Sequence, residues 1–136
     1  MDKHDKAFLL KEGLRLLDAK EPAQAVSAFQ NVIRLDPQSA GAHSGIGQAF
    51  LDMEEYEGAR VAFTKSIELQ PTSARYVLLG AALTHLHQYR LAFRAFRNAL
   101  RISPEDEEVI FNVYQLLHLR HPAFAARFKA KNVSVK

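Results

Sequence analysis

The sequence predicts an all-α chain built as a row of antiparallel helix pairs, and two observations carry that prediction. The first is an internal repeat. The landmarks Gly47, Phe50, Tyr56, Ala59, Phe63, Ile67 and Pro71 recur thirty-four residues earlier at Gly13, Leu16, Pro22, Ala25, Phe29, Ile33 and Pro37. They recur thirty-three residues later at Gly80, Leu83, Tyr89, Ala92, Phe96, Leu100 and Pro104, one residue being lost after Pro71. The second is that each copy holds two apolar runs at helical spacing, with a turn between them and a proline behind them.

Taken in order, the first helix is expected over His4–Ala19, with Leu9, Gly13 and Leu16 on one stripe and Leu10, Leu14 and Leu17 on the next. After a turn at Lys20-Glu21, Pro22 sits near the first position of the second helix, where its missing N–H is not needed. That helix carries Ala25, Phe29, Val32 and Ile33 inward until Pro37 stops it. Proline disfavours helical geometry in the residue before it, so Asp36, Gln70 and Ser103 should mark helix ends. The second repeat pairs Ala40–Met53 with Tyr56–Leu69, and the third pairs Ala74–Leu86 with Tyr89–Ile102.

Beyond Ser103-Pro104, the run Glu105, Asp106, Glu107, Glu108 is expected to fill a first helical turn, where free N–H groups and the macrodipole favour carboxylates. Val109, Ile110, Val113, Leu116 and Leu117 then form the apolar set of a seventh helix. His121-Pro122 opens a short eighth, with Phe124 and Phe128 facing back. The expected organisation is one domain over 1–136, with repeats at about 6–39, 40–72 and 73–104, a degenerate fourth repeat or cap at 105–131, and a frayed tail at 132–136. Glycine and alanine at fixed positions let paired helices approach closely. The phenylalanine four residues past the alanine fills the gap beside the neighbouring repeat. A lone repeat cannot bury its apolar face, so stacking is required.

Composition narrows the class. With 48% apolar residues in 136 the chain can form a core, yet no apolar run nears the roughly 20 residues of a membrane span, so no membrane insertion is expected. Phe8-Leu9-Leu10 is far short of a secretory core of roughly 7 to 15 residues, so a cytoplasmic location is expected. With no cysteine, disulfides and thiolate metal sites are excluded. The net charge of +3 hides a gradient: 8 basic and 11 acidic residues up to Pro71, then 10 basic and 4 acidic, or −3 against +6. Such a gradient bears on partner steering or on head-to-tail contact between copies, making a homo-oligomer one expected arrangement.

These spacings resemble the tetratricopeptide repeat. The copies read Leu9-x2-Glu12-Gly13-x2-Leu16 with Ala25-x3-Phe29 and Pro37; His43-x2-Ile46-Gly47-x2-Phe50 with Ala59-x3-Phe63 and Pro71; and Tyr76-x2-Leu79-Gly80-x2-Leu83 with Ala92-x3-Phe96 and Pro104. Departures from the pattern are Glu12 where leucine is usual, His43 at the first large position, and the shortened junction after Pro71. The resemblance implies a right-handed α–α superhelix whose first helices line a concave groove that binds a peptide or helix of a partner protein. Carried over by repeat position, the groove residues are Ala7, Leu10, Leu14 and Leu17; Gly41, Ser44, Gln48 and Leu51; Ala74, Val77, Ala81 and Thr84; and, in the degenerate repeat, Phe111 and Gln115. The alternative for Leu10, Leu14 and Leu17 is cover by the N-terminal segment or a second copy. In the subgroup that grips acidic chaperone tails, the gripping positions fall here on Leu10, Leu14, Gly45, Ala74 and Leu78, none able to hold a carboxylate through its side chain. Small three-repeat secretion chaperones are similar in size and repeat number, and supply an alternative function.

Other signals read structurally. Gly41, Gly45 and Gly47 lack the preceding strand and spacing of a phosphate loop and are expected to serve close helix packing. His85-x-His87 and His118-x2-His121 lack the converging third and fourth donors that zinc needs, so neither metal nor cofactor is expected. Serine, histidine and acidic residues are scattered without a nucleophile motif, so no catalytic residues and no enzyme activity are expected. Arg90, Arg94, Arg97 and Arg101 recur at four, three and four residues and should line the outer, convex face of one helix. They are read as a solvated surface or as a docking stripe for an acidic protein segment or nucleic acid. Nucleic acid ranks below a protein partner because aromatic platforms and a recognised motif are missing.

Overall fold

The computed structural model describes residues 5–120 and 122–132, with the side chains at 119, 120, 124, 125, 128 and 132 outside the description. Among the described residues eight helices follow one another: α1 (Lys6–Asp18), α2 (Pro22–Leu35), α3 (Ala40–Asp52), α4 (Tyr56–Leu69), α5 (Ser73–His85), α6 (Tyr89–Ile102), α7 (Glu107–Arg120) and α8 (Pro122–Asn132). The chain is all-α, as predicted, and α4 and α6 have the predicted bounds. Asp36, Gln70 and Ser103 each cap a helix C-terminus. Phe124 and Phe128, predicted to face back, lie outside the described side chains.

Each first helix of a pair begins on a side-chain cap, and the caps keep the register of the repeat. The carboxylate of Asp5 accepts from the Ala7 N–H at 2.7 Å, Ser39 Oγ from the Ala42 N–H at 3.2 Å, and Thr72 Oγ1 from the Arg75 N–H at 3.2 Å. Asp106 Oδ1 accepts from both Glu108 and Val109 N–H, at 3.0 and 3.3 Å. Each such bond satisfies an N–H that the helix itself leaves without a partner. The last of these corrects the expectation for the acidic run. Only Glu107 and Glu108 enter the first turn of α7, because Asp106 is the cap itself and Glu105 lies in the preceding turn.

The second helices start differently. Lys20, Glu54 and His87 take φ of 61°, 59° and 60°, the left-handed region, at the same point of three repeats. The Lys20 and Glu21 N–H groups donate back to Leu17 and Leu16 C=O. Glu54 and Glu55 donate to Leu51 and Phe50, and His87 and Gln88 to Thr84 and Leu83, at 2.8–3.1 Å. Two carbonyls left over at the end of the first helix are thereby satisfied while the chain reverses. None of the three residues is glycine, so each bears the steric strain of a Cβ in this region. Glu54→Gly is expected to stabilise the protein by about 0.5–1 kcal/mol, the strain relieved exceeding the extra freedom given to the unfolded chain. Chemical unfolding checks it, and a lowered midpoint would refute the account.

The chain divides after Pro71 into two compact units. In the first, Leu16, Leu17, Ala25, Ala28, Phe29, Val32, Ala42, Ile46, Ala49 and Ala62 form one core. Phe29 is fully buried between two glycines: a Cβ on Gly13 would stand 2.5 Å from its ring, and one on Gly45 2.4 Å. Phe63 lies in the same way against Gly47, at 2.6 Å. Close packing therefore accounts for Gly45 and Gly47 but not for Gly41, whose nearest neighbour is Leu10 Cδ1 at 4.0 Å. Ser66, fully buried in α4, donates its hydroxyl to the Ala40 carbonyl at 2.7 Å and ties the ends of that pair together. In the second unit Leu83, Ala92, Ala95, Phe96, Ala99, Val109, Ile110, Val113 and Leu117 form the core, with Phe96 against Gly80.

Candidate functional site

The first helices of successive pairs supply the predicted groove positions, and within each unit two of them are neighbours. In the first unit α1 and α3 are in contact, with Leu10 beside Gly41. Leu14 is 49% exposed although it is a large apolar side chain, Ala7 and Gln48 are exposed, and Leu10, Gly41 and Leu51 are half-buried. In the second unit α5 and α7 are in contact. There Phe111 is 57% exposed, Ala74 and Gln115 are exposed, and Val77 and Ala81 are half-buried.

Three predicted contacts are interior positions instead. Leu17 joins the core of the first unit, and Ser44 and Thr84 are also buried. Thr84 Oγ1 donates to the Gly80 carbonyl one turn earlier at 2.8 Å, which meets its hydrogen-bonding need without a ligand. The reason is helical phase. Leu17 follows the core residue Leu16 directly, and Thr84 follows Leu83, so both sit at the margin where the core stripe widens. The positions that remain accessible are mostly apolar, and no cation among them could hold an acidic tail. Gly45, one of the positions that would have to grip such a tail, lies under Phe29.

Charges border the α1 surface of the first unit. Arg15 is paired with Glu12 through two hydrogen bonds, and the hydrogen-bonded guanidinium holds the Glu12 carboxyl below the ordinary carboxylate range. Lys6 reaches Asp36 at 3.0 Å, linking the start of α1 to the end of α2. That bond, with the Gln38 N–H, lowers the Asp36 pKa. Arg60 pairs with Glu57 and lowers its pKa in the same way.

The four arginines of α6 are all exposed and stand on one face, within an arc of roughly 60° at 100° per residue. The opposite face carries Ala92, Ala95, Phe96 and Ala99 into the core. Among the described residues no carboxylate pairs with any of the four. The histidines have local partners. His87 Nδ1 lies 2.6 Å from Tyr89 Oη, and His118 stacks on Tyr114 with ring centroids 5.6 Å apart. His121 lies outside the described residues. Among the described residues no group of three or more histidine, aspartate or glutamate side chains is placed to hold a metal, and no helix is long and apolar enough to cross a membrane.

The same architecture recurs in known proteins. Superkiller complex protein 3 of Homo sapiens is 32% identical over 93 residues, covering 68% of this chain but 6% of that protein, so the chain spans a small fraction of its length. The crystal structure of MamA is similar with a TM-score of 0.84 at 22% identity, covering 97% of this chain and 78% of that one. That of YrrB, described as a TPR protein with an unusual peptide-binding site, has a TM-score of 0.79 at 23% identity, covering 95% and 68%. At these identities the likeness to both structures is one of fold. The family profile of the tetratricopeptide repeat matches residues 16–83. That match includes the caps Ser39 and Thr72, the left-handed turns at Lys20 and Glu54 and the seats of Phe29 on Gly45 and Phe63 on Gly47, and the chain belongs to the tetratricopeptide repeat family.

Proposed function

We propose that this chain is a protein-interaction module that captures a peptide or helical segment of a partner on the surface of its first helices. Each unit presents its own such surface: Ala7, Leu10, Leu14, Gln48 and Leu51 in the first, and Val77, Ala81, Phe111 and Gln115 in the second. The observation that carries this reading is Leu14, half-exposed on α1 beside Leu10 and unused by the core. Burying such a side chain against a partner contributes roughly 1–2 kcal/mol, and neighbouring apolar positions add to it. The family's role in protein association and the peptide-binding site ascribed to YrrB support the same reading. Affinity comes from apolar burial, and the charged pairs at the margin select among partners. Partner recognition, without any reaction on the bound segment, is the whole of the proposed activity.

Leu14→Asp tests it. In a pull-down from extract of the cells that make the protein, the variant is expected to lose the partner that wild type retains. Its melting should change by no more than about 0.5 kcal/mol equivalent, as for an exposed position. A variant that unfolds would place Leu14 in the core, and one that still captures the partner would remove the α1 surface from the site.

A further inference from the structure

We infer that the outer face of α6 is a second docking surface, separate from the first-helix surface, and that it receives an acidic helical segment of a partner protein carrying an apolar side chain. Arg90, Arg94, Arg97 and Arg101 run along about 16 Å of helix, and no carboxylate among the described residues neutralises them. The repeat does not require them. The corresponding positions are Glu57, Val61, Thr64 and Glu68 in the second repeat and Ala23, Ser27, Gln30 and Arg34 in the first. A purely structural demand would have left its mark in all three. α6 itself, from Tyr89 to Ile102, contains no acidic residue, whereas Arg60 on α4 is paired within its own helix by Glu57.

The surface between the arginines is apolar as well as charged. A depression of about 490 Å³ is lined, among the described residues, by Arg90, Leu91, Phe93, Arg94 and Arg97, and a second of about 400 Å³ by Arg94, Arg97, Asn98 and Arg101. Leu91 is 47% exposed. Carboxylates meet the guanidiniums while an apolar side chain covers Leu91 and gives the contact a component that salt does not screen. A segment with carboxylates at the same four-three-four spacing matches the stripe in either chain direction, because that spacing reads the same backwards. Protein is favoured over nucleic acid because base stacking needs open aromatic faces. The one aromatic side chain in the depression, Phe93, has Arg97 over its ring at 6.0 Å.

The test is fluorescence anisotropy on the full chain with a labelled synthetic helical peptide. It carries four glutamates at four-three-four spacing and one leucine on the same face. A peptide of the same composition in shuffled order and a single-stranded oligonucleotide of equal charge serve as competitors. The peptide is expected to bind, and to weaken by at least about tenfold in Arg94→Glu/Arg97→Glu. Arg94→Gln/Arg97→Gln should show a smaller loss, with circular dichroism and melting of both variants unchanged. Leu91→Ser should weaken binding without changing its salt slope, and Leu14→Asp should leave it alone. Equal binding by the reversed or neutralised variants, or by the shuffled peptide, would overturn the proposal. So would an oligonucleotide that displaces the peptide with the same affinity in wild type and Leu91→Ser, which would make the face a general polyanion site.

Discussion

Phe29→Ala is expected to destabilise the protein by roughly 3 to 5 kcal/mol, against a typical domain's total stability of about 5–15 kcal/mol. The ring is fully buried and bears on both Gly13 of α1 and Gly45 of α3. It therefore joins a helix of its own repeat to the first helix of the next one. Truncation removes one of the largest fully buried side chains of the first unit, and two of its walls are glycines with no side chains to move into the void. A core site flanked by flexible side chains can collapse and recover part of the loss; this one keeps its cavity, which places it toward the high end of the measured range. Urea unfolding of wild type and variant measures it. A loss under about 1 kcal/mol would mean the helices close over the gap, and would remove Phe29 as the element that couples the first two repeats.

How much of this was legible depended on whether a residue type had to be present. The bounds of α4 and α6 followed from helical spacing and from Pro71 and Pro104, because proline cannot be accommodated silently in a helix. Phe29, Phe63 and Phe96 were legible as core because a large ring at one register in three repeats has few other uses. The caps Asp5, Ser39, Thr72 and Asp106 were also within reach, being short polar residues spaced at nearly the repeat length just before apolar runs. For the fourth, reading the whole acidic run as helix start hid the cap inside it. The left-handed turns were not legible: glycine or asparagine would have announced them, and Lys20, Glu54 and His87 do not. The site was harder still, since exposure of an apolar residue on a first helix depends on small differences in helical phase. Leu14 and Leu17 are both leucines at predicted groove positions, and only the first reaches solvent. Gly45 carried a signal of another kind. It has no glycine counterpart in the other repeats, where Lys11 and Leu78 stand, and its position under Phe29 explains it.

The same substitution, glycine to alanine, should act with opposite sign at two helical positions. At Gly80 an added methyl would stand 2.2 Å from Phe96 Cε1 and 2.5 and 2.7 Å from two further ring atoms, and that ring is 1% exposed. Alanine gains about 1 kcal/mol over glycine in a helix interior, while forcing volume into a packed core costs about 1–3 kcal/mol and more where the obstacle cannot turn aside. Overpacking wins, and Gly80→Ala is expected to lose about 2 kcal/mol net. At Gly41 the nearest atom to an added methyl is Leu10 Cδ1 at 4.0 Å, an ordinary contact, so propensity wins and Gly41→Ala is expected to gain up to about 1 kcal/mol. Equilibrium unfolding of both variants gives the two signs. Combining Gly80→Ala with Phe96→Leu separates the cause, since a narrower side chain makes room for the methyl and the double variant should lose less than the sum of the singles. Strict additivity, or a Gly80→Ala variant as stable as wild type, would mean that α5 and α6 can move apart at little cost. The glycine–phenylalanine seat would then not be what sets the spacing of a helix pair.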